Sequence, residues 1–504
     1  TTRLYPIASP NGAMKGLCWA LGAGEKTLLQ PGWRKRIGDV IVRRPRLREI
    51  APVIIRSAPP RHPSRLYSSP FLLLSTFGLL IVMGAVLLML PISSASGTPT
   101  SADVAFFTAT SAVTDTGLEV VPTPVYWSGF GKVVIMVLVA LGGLGIMTLV
   151  TFILVVLGQR VTLPNRMVLR ESLAHQGLGG LIRLLFYVMA VVVVFNLLGT
   201  IILFLAFRSD YTDWRAVWQG LFHSITAFNN AGFSILDDSS SLSRLWNQYD
   251  VLVPIAALII IGGISYTVII DVLGKRRFSR LALDTKLVLT ANLALWVLGY
   301  LVMLLAELHN PQTLGRLGPV DRGMAALFHS VSARTAGFST IDFGAVEQVT
   351  KLFYVGLMFI GGAVGSTAGG IKVNTFAILM AAVFSSIRGR MQAEAFGREI
   401  PFWQVHRALS VAFLGLAMIF SVTLLLLATE RGTPYIDLLF ETVSAFGTVG
   451  LSTGITPELS LAGKSLLMLT MFVGKLGPLT LVLILAGSEE RPLYRYAEER
   501  VKIG

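Results

Sequence analysis

Ser332-Ala333-Arg334-Thr335-Ala336-Gly337-Phe338-Ser339-Thr340 is a run of small residues around one glycine, set between a short amphipathic stretch and a long apolar one. The chain writes the pattern three more times. Aligned on the glycine, the others are Ala112-Val113-Thr114-Asp115-Thr116-Gly117-Leu118, Ala227-Phe228-Asn229-Asn230-Ala231-Gly232-Phe233-Ser234 and Ala445-Phe446-Gly447-Thr448-Val449-Gly450-Leu451-Ser452. An internal repeat is the mark of a repeated structural unit, so four related loops imply four related hairpins.

The surroundings say where those hairpins sit. Of 504 residues, 53% are hydrophobic and 14% charged, against roughly 25% charged in an ordinary soluble domain. Crossing the ~30 Å hydrocarbon core takes about 20 apolar residues. Residues 71–90, 133–157, 182–207 and 411–428 supply runs of that kind, so a membrane protein is expected. Net charge is +14, and residues 1–66 carry 13 Lys and Arg against Glu25, Asp39 and Glu49. Without an apolar core followed by a small-residue cleavage site, this stretch reads as a retained basic segment, not a secretory signal. It is expected on the cytoplasmic side, facing anionic lipid and not nucleic acid. The single Cys18 offers neither an intramolecular disulfide nor metal-ligand spacing.

Around each glycine the same order recurs: a long span, a helix too short to cross, the loop, and a second span. The four sets are 70–91, 101–112, Gly117 and 130–157; 181–207, 214–227, Gly232 and 251–273; 287–305, 321–332, Gly337 and 352–384; and 411–428, 435–445, Gly450 and 465–486. The expected divisions are a basic segment at 1–66, repeats at 67–175, 176–280 and 281–400, and a fourth repeat with the tail at 401–504. The short helices read as re-entrant pore helices. Non-helical backbone at membrane depth is tolerated only when buried in protein or lining water. Arg160, Arg166 and Arg170, then Lys275, Arg276 and Arg277, then Arg388, Arg390 and Arg398, then Arg491 and Arg495 fall on the tail's side of the membrane. Asp103, Asp213, Asp237, Asp238 and Asp437 fall on the other. Eight spans with both termini cytoplasmic satisfy this bias, with the loops dipping in from outside. The fold expected is an all-α integral membrane protein, four M1–pore helix–M2 repeats about a pseudo-fourfold pore axis, in the cell membrane.

A dehydrated monovalent cation must exchange its water for a ring of oxygens, and the backbone carbonyls of four loops about one axis provide one. Without a Cβ, glycine lets such a backbone turn and approach the axis. Short helices aiming their partially negative C-terminal ends at the centre favour a cation. The filter residues expected are Val113, Thr114, Asp115 and Gly117; Phe228, Asn229, Asn230 and Gly232; Ala333, Arg334, Thr335 and Gly337; and Phe446, Gly447, Thr448 and Gly450. The side chains of Thr114, Asn229, Asn230, Thr335 and Thr448 are candidates for supporting hydrogen bonds. Free charge inside a filter would distort selectivity, so Asp115 and Arg334 are expected to turn away and be paired, Arg334 with Glu441.

Thr-x-Thr-Gly-Leu in the first unit, Ala-Phe-Asn-Asn-Ala-Gly-Phe in the second, Arg-Thr-Ala-Gly-Phe in the third and Ala-Phe-Gly-Thr-Val-Gly-Leu in the fourth resemble the filter loops of the Ktr/Trk/HKT superfamily of potassium transporters. The resemblance covers roughly residues 70 to 504, and the chain looks more like a Ktr-type membrane subunit than a Trk-type one. It implies K+ as the transported ion, no organic cofactor on this chain, a homodimer in the lipid bilayer with a pore in each subunit, and regulation by a cytosolic RCK-type nucleotide-binding ring. It also implies that glycine in all four loops goes with K+ preference. K+/Na+ symport or Na+ uptake stays open as the alternative.

Gly361-Gly362-Ala363-Val364-Gly365-Ser366-Thr367-Ala368-Gly369-Gly370-Ile371-Lys372 interrupts the third unit's second span. Each glycine weakens a helix by roughly 1 kcal/mol relative to alanine. Either small residues pack helices closely here, or the segment unwinds beneath the filter as an obstructing gate. The resemblance supports the gate, with Gly361, Gly362, Gly365, Ser366, Thr367, Gly369, Gly370 and Lys372 as its residues. Lys475 is a cation deep in the fourth unit, where charge is costly and by default functional. It either snorkels or pairs with a carboxylate, or it faces the cavity below the filter, repelling a second cation or tethering the gate. Gly142-Gly143-Leu144-Gly145 and Gly262-Gly263 read as helix-packing glycines. His223 and His329, without carboxylate or cysteine partners, read as structural. No hydrolase, zinc or nucleotide motif is present, so an enzyme is not expected.

Overall fold

The computed structural model describes residues 69–145, 148, 151–152, 155–156, 181–236 and 241–477. The basic segment at 1–66, Arg160, Arg166 and Arg170, Asp237 and Asp238, and everything from Pro478 on lie outside the described residues.

The first repeat is α1 (Ser69–Met89), the short α2 (Ala102–Val113), a single turn α3 (Thr123–Tyr126) and α4 (Gly129–Leu144). The second is α5 (Leu181–Phe207), α6 (Asp213–Phe228), α7 (Tyr249–Gly263) and α8 (Tyr266–Lys275). The third is α9 (Leu283–Ala306), α10 (Pro319–Ser332), α11 (Gln348–Phe359) and α12 (Val373–Ile387), and the fourth α13 (Phe402–Thr429), α14 (Tyr435–Gly447) and α15 (Leu461–Leu476). The only strands among the described residues are a two-residue hairpin pair, Glu394–Ala395 with Arg398–Glu399.

Ile182–Phe207, Leu283–Ala306 and Phe402–Thr429, of 26, 24 and 28 residues, are each long and apolar enough to cross a membrane. Their outward side chains stay apolar, with Leu205 62% and Phe413 69% exposed, as lipid-facing surface requires. The four short helices share a start. Each carries an aspartate in its first turn, Asp103, Asp213, Asp321 and Asp437, where the helix dipole favours negative charge. Each then loses its exposed face: from Val104, Ala216, Ala325 and Leu438 onward most residues are buried.

The repeats close on one another by a single rule. The second helix of each repeat packs against the short helix of the next, α4 on α6, α7 on α10, α11 on α14, and α15 back on α2. That cycle is the pseudo-fourfold arrangement about a central axis.

The second helices differ from the unbroken spans read in the sequence. At Gly263 the run expected as 251–273 turns by 97° into α8. α4 stops at Leu144, with Gly145 at φ +71°, and α15 stops at Leu476, with Gly477 at φ +89°. α11 and α12 are parted by the glycine-rich stretch. All four second helices therefore break at glycines, and Gly142, Gly262 and Gly474 each lie so close to their own repeat's short helix that a Cβ would collide with a carbonyl oxygen there, of Val113, Phe228 and Phe446 respectively. The glycines do serve close packing, as read, against a carbonyl at the end of the short helix.

Candidate functional site

Each short helix hands over to its loop with one long backbone bond. Thr116 N donates to Ser111 O, Ala231 N to Thr226 O and Val449 N to Ser444 O, each at 2.8 Å. The third loop is one residue shorter, and Ser332 O accepts from both Ala336 N (2.9 Å) and Gly337 N (3.2 Å). Two residues before each glycine the backbone is left-handed, at Asp115 (φ +52°), Asn230 (+57°), Thr335 (+81°) and Thr448 (+48°), and the glycines follow at +82°, +71°, +72° and +88°. Non-glycine residues rarely adopt this region, and four at one register mark a shared constraint.

The constraint is a ring. A Cβ on Gly117 would collide with Ala231 O, on Gly232 with Ala336 O at 2.6 Å, on Gly337 with Val449 O, and on Gly450 with Thr116 O. Each glycine faces the carbonyl before the next repeat's glycine, and the fourth returns to the first. The expected filter residues gather in these four loops. Thr116, Ala231, Ala336 and Val449, whose carbonyls make the contacts, were not among them. Their signal was available: they are the positions immediately before the four aligned glycines. The residues following, Leu118, Phe233, Phe338 and Leu451, are at most 1% exposed and anchor the returning limb.

The left-handed residues turn their side chains to other partners. Asp115 forms an ion pair with Lys475. The Asn230 amide lies 3.0 Å from Thr335 Oγ1, joining loops two and three, and Thr448 lies against Gly369. Thr114 Oγ1 donates to Thr110 O at 2.7 Å and Asn229 Nδ2 to Ile225 O at 2.9 Å. The expected pair of Arg334 with Glu441 does not form. The Arg334 guanidinium donates to Asn292 Oδ1, to Gly361 O at 2.6 Å and to Ile360 O at 3.4 Å. Glu441 instead accepts from Ser452, Thr456 and the Thr453 amide. Carbonyls at a helix break need donors, and the five N–H groups of arginine satisfy two of them at once.

The stretch 361–372 is unwound between α11 and α12. Its ends meet as a narrow loop, with Gly361 N donating to Ile371 O (2.8 Å) and Val373 N to Gly362 O (3.0 Å). From there it reaches the other repeats. Ala363 N donates to Gly263 O at 3.0 Å and Gly370 N to Gly474 O at 3.2 Å. Thr367 Oγ1 lies 3.1 Å from Gly262 O and 3.3 Å from Phe228 O. Lys475, its side chain 8% exposed, donates to Thr367 O at 2.6 Å as well as to Asp115. It is thus carboxylate-paired and attached to the glycine-rich loop, while Lys372 donates to Ala368 O within that loop. Gly365 and Ser366 lie in the turn over residues 364–367, with Ser366 Oγ 2.7 Å from Ala363 O, and Gly369 packs against Thr448. His223 and His329 are buried and bonded to hydroxyls, and among the described residues no group of histidine, cysteine or carboxylates is placed to hold a metal.

Residues 62–492 match the family model described as TrkH, a cation transport protein. The Ktr system potassium uptake protein B of Bacillus subtilis is 41% identical over 438 residues, 87% of this chain and 97% of that protein. The potassium/sodium uptake protein NtpJ of Enterococcus hirae is 36% identical, over 86% of this chain and 96% of that one. The crystal structure of the potassium transporter TrkH from Vibrio parahaemolyticus superposes with a TM-score of 0.65 at 20% identity, covering 84% and 86% of the two chains, a likeness of fold. The chain is a multi-pass membrane protein and belongs to the TrkH family of cation transport proteins.

Proposed function

We propose that the chain is the membrane subunit of a potassium uptake system, in which K+ passes through the ring of loop carbonyls and residues 361–372 gate it. The observation that carries this reading is the closed cycle of glycine-to-carbonyl approaches through Gly117, Gly232, Gly337 and Gly450. In a strand successive carbonyls point to opposite sides. Left-handed backbone two before the glycine and again at it breaks that alternation and lets several carbonyls face one axis. Carbonyls so placed replace a hydration shell, and the ends of α2, α6, α10 and α14 add the negative poles of their dipoles.

Residues 361–372 cross from the third repeat to breaks in the second and fourth, on the side where the second helices end. A loop held there by a few bonds is positioned to obstruct an ion leaving the ring. Lys475 tethers it, because one ammonium serves both Asp115 of the first loop and Thr367 O of the gate. The relatives named as Ktr system proteins support a multi-component system in which the membrane subunit works with a regulatory partner; in this reading the chain is further a homodimer, regulated by a cytosolic nucleotide-binding ring, in the cell membrane with both termini cytoplasmic. The Enterococcus hirae relative is named for potassium and sodium, which attaches a K+/Na+ alternative to the same architecture. Growth of a K+-uptake-deficient cell at low K+ on expression of the chain tests the proposal. Absence of rescue by a chain that reaches the membrane, with its cytosolic partner present, contradicts it.

A further inference from the structure

We propose that His223, His329 and Glu441 are positioning residues that set ion preference by bracing the returning limb of three ring loops, an inference that rests on reading the ring as the filter. The three occupy one structural position. Each lies three residues before the hydroxyl residue, Thr226, Ser332 or Ser444, whose carbonyl closes the short helix. Each is fully buried, and each reaches a hydroxyl two or three residues past the glycine. His223 Nε2 lies 3.1 Å from Ser234 Oγ, and His329 Nε2 3.0 Å from Thr340 Oγ1. Glu441 accepts from Ser452 Oγ, from Thr453 N at 3.0 Å and from Thr456 Oγ1 at 2.8 Å.

The chemistry differs but the link is the same. His223 Nδ1 lies 2.9 Å from Gln219 O, and a carbonyl only accepts, so Nδ1 carries the proton and Nε2 accepts from Ser234. Glutamate reaches the same result with two carboxylate oxygens. Imidazole and carboxylate share no size or charge, so packing alone does not explain the position; a buried polar group bonded to the limb does. The helix side of each loop is already fixed by backbone bonds. The limb after the glycine is held by its apolar anchor, by this brace and by a few further bonds, among them Ser332 Oγ donating to Phe338 O at 2.6 Å, Gln219 Nε2 to Ile235 O at 3.1 Å and Leu242 N to Ser339 O at 2.9 Å. The brace is the link that recurs in three loops from a buried side chain of the short helix, and it limits how far the ring oxygens relax toward a smaller ion. In the first repeat the position is Thr108, and Glu119 two past the glycine accepts from Thr123 N at 3.0 Å instead.

The experiment compares initial K+ and Na+ uptake into proteoliposomes holding the full chain, wild type and Ser234→Ala, Thr340→Val and Glu441→Met. Loss of one brace lowers the K+-over-Na+ preference about fivefold, the worth of one hydrogen bond, by raising Na+ uptake while the saturating K+ rate stays near wild type. Thr340→Ser restores the preference, and Glu119→Gln leaves it unchanged. Should Glu441→Met fail to fold, the two hydroxyl deletions carry the test. An unchanged preference in folded variants, or K+ and Na+ rates falling together, overturns the proposal. A wild type that shows no preference overturns the filter reading itself, and the two failures are thereby distinct.

Discussion

The ring of loops and the stretch 361–372 both leave regular helix around glycines, yet they are built differently. In the ring each glycine is needed because a neighbouring backbone occupies the place of its Cβ, and the contact recurs four times. The glycine-rich stretch belongs to one repeat alone. It is held to the others mainly by separable hydrogen bonds, to Gly262 O, Gly263 O and Gly474 O, and by one lysine; its close approaches are single ones, Gly361 to Gly369 O of the stretch itself, Gly362 to Gly263 O and Gly369 to the Thr448 side chain. A close approach repeated four times around a closed cycle leaves little room for adjustment, whereas a loop held mainly by hydrogen bonds can exchange partners. In the proposed reading, a fixed aperture and a movable obstruction use the same residue for unlike reasons.

The most severe way to break this comparison is at the ring. Gly232→Ala puts a methyl 2.6 Å from Ala336 O at a φ of +71°. A left-handed alanine costs about 1–2 kcal/mol before that collision is counted. Potassium flux into liposomes is expected to fall about a hundredfold, near 2.7 kcal/mol at 1.36 kcal/mol per decade. Flux within twofold of wild type would remove the ring's close packing from the account.

Releasing the loop has the opposite sign. Deleting residues 365–369 is expected to raise K+ flux about tenfold, a worth of about 1.4 kcal/mol drawn from two or three lost hydrogen bonds. Unchanged flux with normal expression counts against the gate. Lys475→Met both frees the loop and strands the buried Asp115 carboxylate. Removing one partner of a buried pair costs about 3–5 kcal/mol, so the thermal midpoint in detergent drops, and Lys475→Met with Asp115→Asn regains most of it. A double variant no more stable than the single one disproves the coupling. The mildest change sharpens the contrast. Gly356 in α11 has open space around its Cβ position, so Gly356→Ala leaves flux unchanged and stabilises by up to about 1 kcal/mol; a lost flux there would show that glycine content, not contact, matters.

How much of this was legible depends on what carried it. The four loops and their short helices were readable because a ring of four copies repeats its local sequence. Thr116, Ala231, Ala336 and Val449 escaped because their contribution is a carbonyl, which every residue has. The bend at Gly263 lies within an apolar run, and composition alone gives no direction to a break. Lys475 and Asp115 are 360 positions apart, and nothing local joins them. Arg334 misled because a charge suggests an opposite charge, while its actual partners at Ile360 and Gly361 are carbonyls freed where α11 ends.

The most direct test of the central claim is cation flux in proteoliposomes holding the full chain, with its cytosolic partner, under K+, Rb+ and Na+ gradients in turn. A rigid carbonyl ring predicts that K+ and Rb+ pass and that Na+ is carried at least about tenfold more slowly. Equal rates for K+ and Na+ would contradict it.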